Sequence, residues 1–205
     1  MSQREATDLF SEWAYKGKDL GMEKGHAASV HDMLKIAGIP RNTDFTAIDV
    51  GCGNGWVCRL IREDEKCSRI VGIDGSEKMI EKAKDLDING EYYFAKLPEW
   101  RPKSQFDLIH SMEFLYYLQK PEEMLKVFHD YWLKSGGMVV IGMDHYLENA
   151  DSLDWGEALN VHMSTRSMNQ WEKAMLDAGF IDVSLHQVGV KEGFVGTLAL
   201  VGYKS

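Results

Sequence analysis

Three glycines crowd one short segment of the chain, Ile48-Asp49-Val50-Gly51-Cys52-Gly53-Asn54-Gly55, and an acid stands two residues before the first of them. Glycine lets a backbone turn sharply and lets a ligand approach the main chain with no Cβ in the way. A second acid, Asp74, follows about 25 residues after Asp49, at a spacing that suits hydrogen bonds to ribose hydroxyls. Loop and acid together describe a nucleoside site. Dinucleotide folds use Gly-x-Gly-x-x-Gly, which lays a pyrophosphate against a helix N-terminus. Here the spacing is Gly-x-Gly-x-Gly with an upstream acid suited to an ammonium, which disfavours a nicotinamide cofactor.

The elements that must position these groups follow from periodicity. Phe45 to Val50 is a short apolar run read as a buried strand, and Trp56, Val57, Leu60 and Ile61 have helical spacing. Arg69 to Ile73 is a second strand, after which Ser76 caps a helix with Met79, Ile80 and Ala83 on its apolar stripe. Tyr92 to Phe94 and Phe106 to His110 supply strands three and four. Pro121 opens a helix expected to run through Trp132 and stop at Gly136-Gly137, before a fifth strand over Met138 to Gly142. Ser167 caps a further helix that Gly179 ends. The tail, Ile181 to Val190 and Val195 to Tyr203, has only a short loop between its strands and reads as an antiparallel edge hairpin. The class predicted is α/β: one doubly wound, seven-stranded, mostly parallel sheet of Rossmann-like type. Residues 1–44 form a helical prelude and 144–166 an insert, both decorating a single domain that spans 1–205.

These motifs resemble the class I S-adenosylmethionine-dependent methyltransferase family. Asp49 to Gly55 is similar to its first motif, Val71-Gly72-Ile73-Asp74-Gly75-Ser76 to its second, and Phe106-Asp107-Leu108-Ile109-His110-Ser111 to its fourth-strand motif. Leu133-Lys134-Ser135-Gly136-Gly137 is similar to the turn into its fifth strand, and the closing hairpin to its last two. The resemblance implies S-adenosylmethionine as cofactor and S-adenosylhomocysteine as product. It places Asp49 at the amino-acid end, Gly51, Cys52 and Gly53 beneath, Asp74 on the ribose, and Gly75, Ser76 and Met79 beside the adenine. Lys96 and Leu97 stand where the family often has an aspartate for the adenine amino group, leaving their backbone to make that contact. Ser111 and Met112 end the strand that faces the methyl group.

Methyl transfer from a sulfonium asks a protein to align the acceptor, exclude water and, where needed, take a proton. Glu113, directly after the fourth strand, is the best placed carboxylate, and His26 in the prelude titrates in the right range for a general base. For the acceptor, the prelude offers Trp13, Tyr15 and Met22, the fourth-strand loop Tyr116 and Tyr117, and the insert Asp144, His145 and Tyr146, with His162 further on. Glycines at 17, 21, 25 and 38 are expected to interrupt the prelude helices. Aromatics interleaved with acids suit a cationic or amine acceptor. Structural roles for the same histidines, acids and aromatics remain open at this stage.

Composition narrows the partners. Acidic residues outnumber Lys and Arg 32 to 23, a net charge of −9, which disfavours nucleic acid and favours a compact small-molecule acceptor. A protein substrate, and a cofactor-binding subunit without turnover, remain alternatives. Three cysteines with no Cys-x-x-Cys spacing point to neither a disulfide nor a metal site. No run approaches the ~18 apolar residues of a membrane span, and the charged N-terminal stretch lacks a secretory pattern, so a cytoplasmic location is expected. Oligomeric state is left open by the sequence.

Overall fold

Phe45–Val50 forms β1 at the centre of the sheet, and its register explains the site. Alternate side chains go to opposite faces: Ala47 joins the core on one face of the sheet, while Ile48 and Val50 join the core on the other. The computed structural model describes residues 3–38 and 43–205; the parts of the prelude at 1–2 and 39–42 lie outside it. β2 (Cys67–Asp74) and β4 (Phe106–Met112) flank β1 in parallel, β3 (Glu91–Phe94) adds outside β2, and β5 (Leu133–Met143) outside β4. β7 (Thr197–Tyr203) pairs antiparallel with β5, and β6 (Ile181–Val188) antiparallel with β7, giving the order β3-β2-β1-β4-β5-β7-β6. This is the seven-stranded mixed sheet expected, with the hairpin at one edge.

α2 (Asp19–Ala37), α3 (Trp56–Arg62) and α4 (Glu77–Leu86) contribute Val30, Met33, Val57, Ile61, Ile80 and Ala83 to one core. On the opposite face, α5 (Pro121–Val127) and α7 (Met168–Asp177) contribute Met124, Leu125, Trp171 and Met175. The caps follow the sequence. Ser76 Oγ accepts from Met79 N, and Ser167 with Gln170 closes a capping box on α7.

Two expectations are corrected. The helix opened by Pro121 leaves α geometry after Val127, and Phe128–Trp132 forms one wide π turn before β5 begins at Leu133. Gly136 and Gly137 therefore lie inside β5. They do not stop a helix there because their backbone is paired with Lys204 across the strand, through Gly136 N to Lys204 O and Lys204 N to Gly137 O. In the prelude, Gly21 and Gly25 lie within the continuous α2; only Gly17, between α1 (Ala6–Tyr15) and α2, and Gly38 at the α2 C-terminus adopt positive φ.

The prelude and the insert meet. Arg4 N donates to Asn160 O at 3.0 Å and Arg4 Nε to Leu159 O at 3.2 Å, with a bridge from Arg4 to Val161. The short α6 (Trp155–Leu159) buries no residue fully, and the seam combines these hydrogen bonds with the fully buried Val161. Among the described residues no helix is long and apolar enough to cross a membrane.

Candidate active site

The loop after β1 is shaped by conformations that favour glycine. Gly51 has φ +76°, and a Cβ there would meet the Phe114 Cβ at 2.9 Å. Gly53 has φ +53° and faces open space at the cavity wall. Gly55 has φ +77° and lies under the Tyr92 ring, where a Cβ would come within 2.6 Å, so the third glycine serves packing and not a ligand. The loop is anchored by Gly51 N and Cys52 N, both bonded to Ile73 O at 2.9 Å.

Asp74 ends β2 facing that loop. Its Oδ2 accepts from Gly53 N at 3.0 Å and its Oδ1 from Ser76 N at 2.7 Å, leaving a further lone-pair direction on each oxygen. Burial raises its pKa to about 6 against the pull of those two N–H groups. A cavity of about 570 Å³ opens beside it, lined at this end by Gly51, Gly53, Asp74, Gly75, Met79 and Leu97. That volume lies within the range of small-molecule sites. This end offers glycine backbone, a buried carboxylate, and Met79, Ala95 and Leu97 as apolar walls.

The far end of the cavity carries the reactive groups. Glu113 takes φ +55°, a strained value for a glutamate, which turns its carboxylate toward Asp144 and His26. Its Oε2 accepts from Tyr116 OH at 2.7 Å, and its Oε1 from Asp144 N at 2.5 Å. His26 Nε2 lies 3.3 Å from Asp144 Oδ2, and Thr197 Oγ1 donates to Asp144 Oδ1 at 2.6 Å. Burial, reinforced by the Asp144 charge, raises the Glu113 pKa to about 7. Burial alone would depress His26, but the bond to Asp144 and the Glu113 charge prevail and its pKa stands above the ordinary histidine value. Three groups from α2, the β4 loop and the end of β5 thus meet with their polar atoms within 4.8 Å of one another, Glu113 lining the main cavity and Asp144 lying behind it. A smaller cavity of about 60 Å³ continues from it, lined by Met22, His26, Asp49, Cys52 and Met112.

Other sequence-predicted residues are dispersed. Asp49 is turned into the core, its Oδ1 2.7 Å from His110 Nδ1 on the neighbouring strand. Ser111 is buried and donates to Val50 O. Ser76 caps α4 and shares a hydrogen bond with Ser11 Oγ at 2.8 Å. The Lys96 side chain is exposed, Tyr15 is 90% exposed, and Trp13 stacks edge-on against Phe10. Tyr146 is fully buried with its hydroxyl on Gly196 O, and His145 is held between Ser152 O and Thr165 Oγ1. Tyr117 lines the main cavity, whereas Tyr116 lies behind Glu113.

The sequence profile of a family described as a methyltransferase domain matches residues 19–185. The chain belongs to this family. Its structure is similar, at a TM-score of 0.82 and 27% identity over 98% of this chain and 99% of the other, to a chain in the complex between the Haloferax volcanii Trm112 methyltransferase activator and a methyltransferase. It shares its fold with the N-methyltransferase NodS of Bradyrhizobium japonicum bound to S-adenosyl-L-homocysteine, at a TM-score of 0.68 and 18% identity over 86% of each chain. Among curated proteins, trans-aconitate 2-methyltransferase of Agrobacterium fabrum is 28% identical over 134 residues, 61% of this chain and 52% of that protein. The chain spans about half the length of the curated relatives it matches. Membership makes this chain a methyltransferase domain.

Sequence reasoning missed several residues that shape this methyltransferase site. Phe10 and Phe114 line the main cavity, Thr7 packs onto Gly75, and Thr197 bonds to Asp144. Asp19, buried between Asn54 Nδ2 and Lys82 Nζ, ties α2 to the glycine loop and to α4. Phe10 had a signal in its helical spacing from Trp13; the rest depend on which strands and helices become neighbours.

Proposed function

We propose that this chain transfers the methyl group of S-adenosylmethionine to a small-molecule acceptor bound between the prelude, the β4 loop and the insert. The observation that carries the reading is the convergence of His26 and Asp144 on Glu113, which lines the same cavity as Asp74. The cofactor supplies an electrophilic methyl group on a good leaving group. Gly51 and Gly53 give it a backbone floor, Asp74 accepts from the ribose hydroxyls, and Met79 and Leu97 enclose the base. Asp49 acts at one remove: its bond to His110 fixes the strand end from which the glycine loop departs. Glu113 meets the acceptor's N–H or O–H and takes its proton, while Asp144 holds His26 as the next proton carrier. Phe10 and Tyr117 position the acceptor's apolar part and keep water out. Arg4 and His162, on either side of the seam, line one margin of the cavity, which favours a compact acceptor over a polymer.

Isothermal titration of the purified protein with S-adenosylmethionine and, in parallel, with NAD tests the cofactor half. Micromolar binding of the former alone supports it, and binding of NAD alone overturns it. A second reading rests on the Haloferax volcanii relative, whose complex contains a methyltransferase activator: this chain works with an activator subunit. Co-purification with that activator on co-expression supports it, and elution of the two as separate species counts against it.

A further inference from the structure

The acceptor end of the cavity carries its own record of charge. Two cationic side chains, Arg4 and Lys120, reach the lining, and each is already committed. Arg4 is bonded to Glu12 and to the Leu159 carbonyl, and Lys120 Nζ lies 2.7 Å from Glu123. His162 is bonded to Ser164 Oγ, and Glu5 adds a carboxylate to the rim. The deep end holds Glu113 with Asp144 directly behind it, and His26 is the one group there that can carry positive charge. The cavity that Glu113 lines also has an aromatic wall: Phe10 meets Tyr117 edge to face at 5.3 Å and 89°, and Phe114 completes it. A carboxylate facing aromatic rings attracts a cation through both charge and ring quadrupole and repels an anion.

Resting on the function proposed above, we propose that the acceptor is an amine with an apolar body, recognised as its ammonium by Glu113 and the Phe10–Tyr117 wall. The same features exclude polycarboxylates. The acceptor nitrogen first gives one proton to Glu113, which frees its lone pair. It then bonds to the methyl carbon as the carbon–sulfur bond breaks, the sulfur keeping the electron pair. The product leaves as the methylated ammonium, and the proton on Glu113 passes to His26 and out to solvent. A carboxylate acceptor needs no such proton acceptor and would have to sit against two like charges.

Binding tests this without turnover. With S-adenosylhomocysteine present at saturation, the wild-type protein is titrated with benzyltrimethylammonium and with trans-aconitate at pH 7.5. The quaternary probe is expected to bind and the tricarboxylate not to. Glu113→Gln and, separately, Tyr117→Leu are each expected to weaken the quaternary probe about tenfold while S-adenosylhomocysteine affinity stays within about twofold. Tighter binding of trans-aconitate, or no cation binding by a protein that does bind S-adenosylhomocysteine, overturns the amine proposal alone. Failure to bind S-adenosylhomocysteine removes the methyltransferase function and the acceptor proposal with it.

Discussion

Replacing Glu113 by glutamine separates what this residue does for the reaction from what it costs the fold. Its carboxyl pKa is raised from 4.5 to about 7 by burial beside Asp144. A folded-state carboxyl above its unfolded value binds a proton that the unfolded chain has released, so stability falls as pH rises from about 4.5 to about 7 and is level above. At ~1.4 kcal/mol per pH unit the ceiling on this loss is ~3 kcal/mol, and residual solvent contact reduces the expected figure to ~1–2 kcal/mol. Glutamine never ionises but keeps one acceptor for the two donors, Asp144 N and Tyr116 OH, which returns ~0.5–1 kcal/mol of the gain. The variant is therefore expected to exceed wild type by ~1 kcal/mol at pH 8 and to be equal or slightly weaker at pH 4.5. Urea unfolding at the two pH values measures it, with methyl transfer by the same samples reduced at least about tenfold. An equal difference at both pH values would refute the ionisation argument, whatever happened to activity.

Wild-type kcat/KM should rise with pH through an ionisation near 7, as Glu113 becomes able to accept a proton, and that limb should vanish in Glu113→Gln; an unchanged profile assigns the limb elsewhere. Asp74→Ala is expected to weaken S-adenosylhomocysteine at least about tenfold by calorimetry, since it removes a charged acceptor and frees Gly53 N and Ser76 N. His26→Ala should lower turnover well below its effect on cofactor affinity; equal losses in both would make its role structural. Gly51→Ala places a Cβ 2.9 Å from Phe114 at φ +76°, so a loss of ~1–3 kcal/mol is expected in urea unfolding, and none would mean the loop relaxes freely.

Elements whose signals are local were legible in the sequence. β1 with its glycine turn, the Ser76 and Ser167 caps and the edge hairpin all follow from neighbours within a few residues. The π turn at Phe128–Trp132 was not, because the apolar spacing of one wide turn differs little from that of an α-helix. Glu113 and His26 were identifiable as candidates by type and position. Their meeting was not, since it depends on α2 crossing β5 and on Asp144 being held by Thr197, 53 residues further along. Asp49 shows the opposite limit. Its place in a glycine motif suggests a ligand contact, and the β1–β4 register, not visible in the motif, also sets it opposite His110, which engages one carboxylate oxygen while the residue borders the smaller cavity.

The seam at Arg4 has a kinetic consequence. Its bonds span more than 150 positions of sequence and close the chain into a loop around the cavity, yet they rest on a few hydrogen bonds at the margin of the fold. Such a closure is cheap to open and quick to re-form, because the surrounding fold keeps the two segments adjacent while only a few hydrogen bonds exchange with water. Escape of the spent nucleoside past this margin should therefore be fast, so that viscous solvents leave steady-state cycling as unchanged as a single methyl transfer.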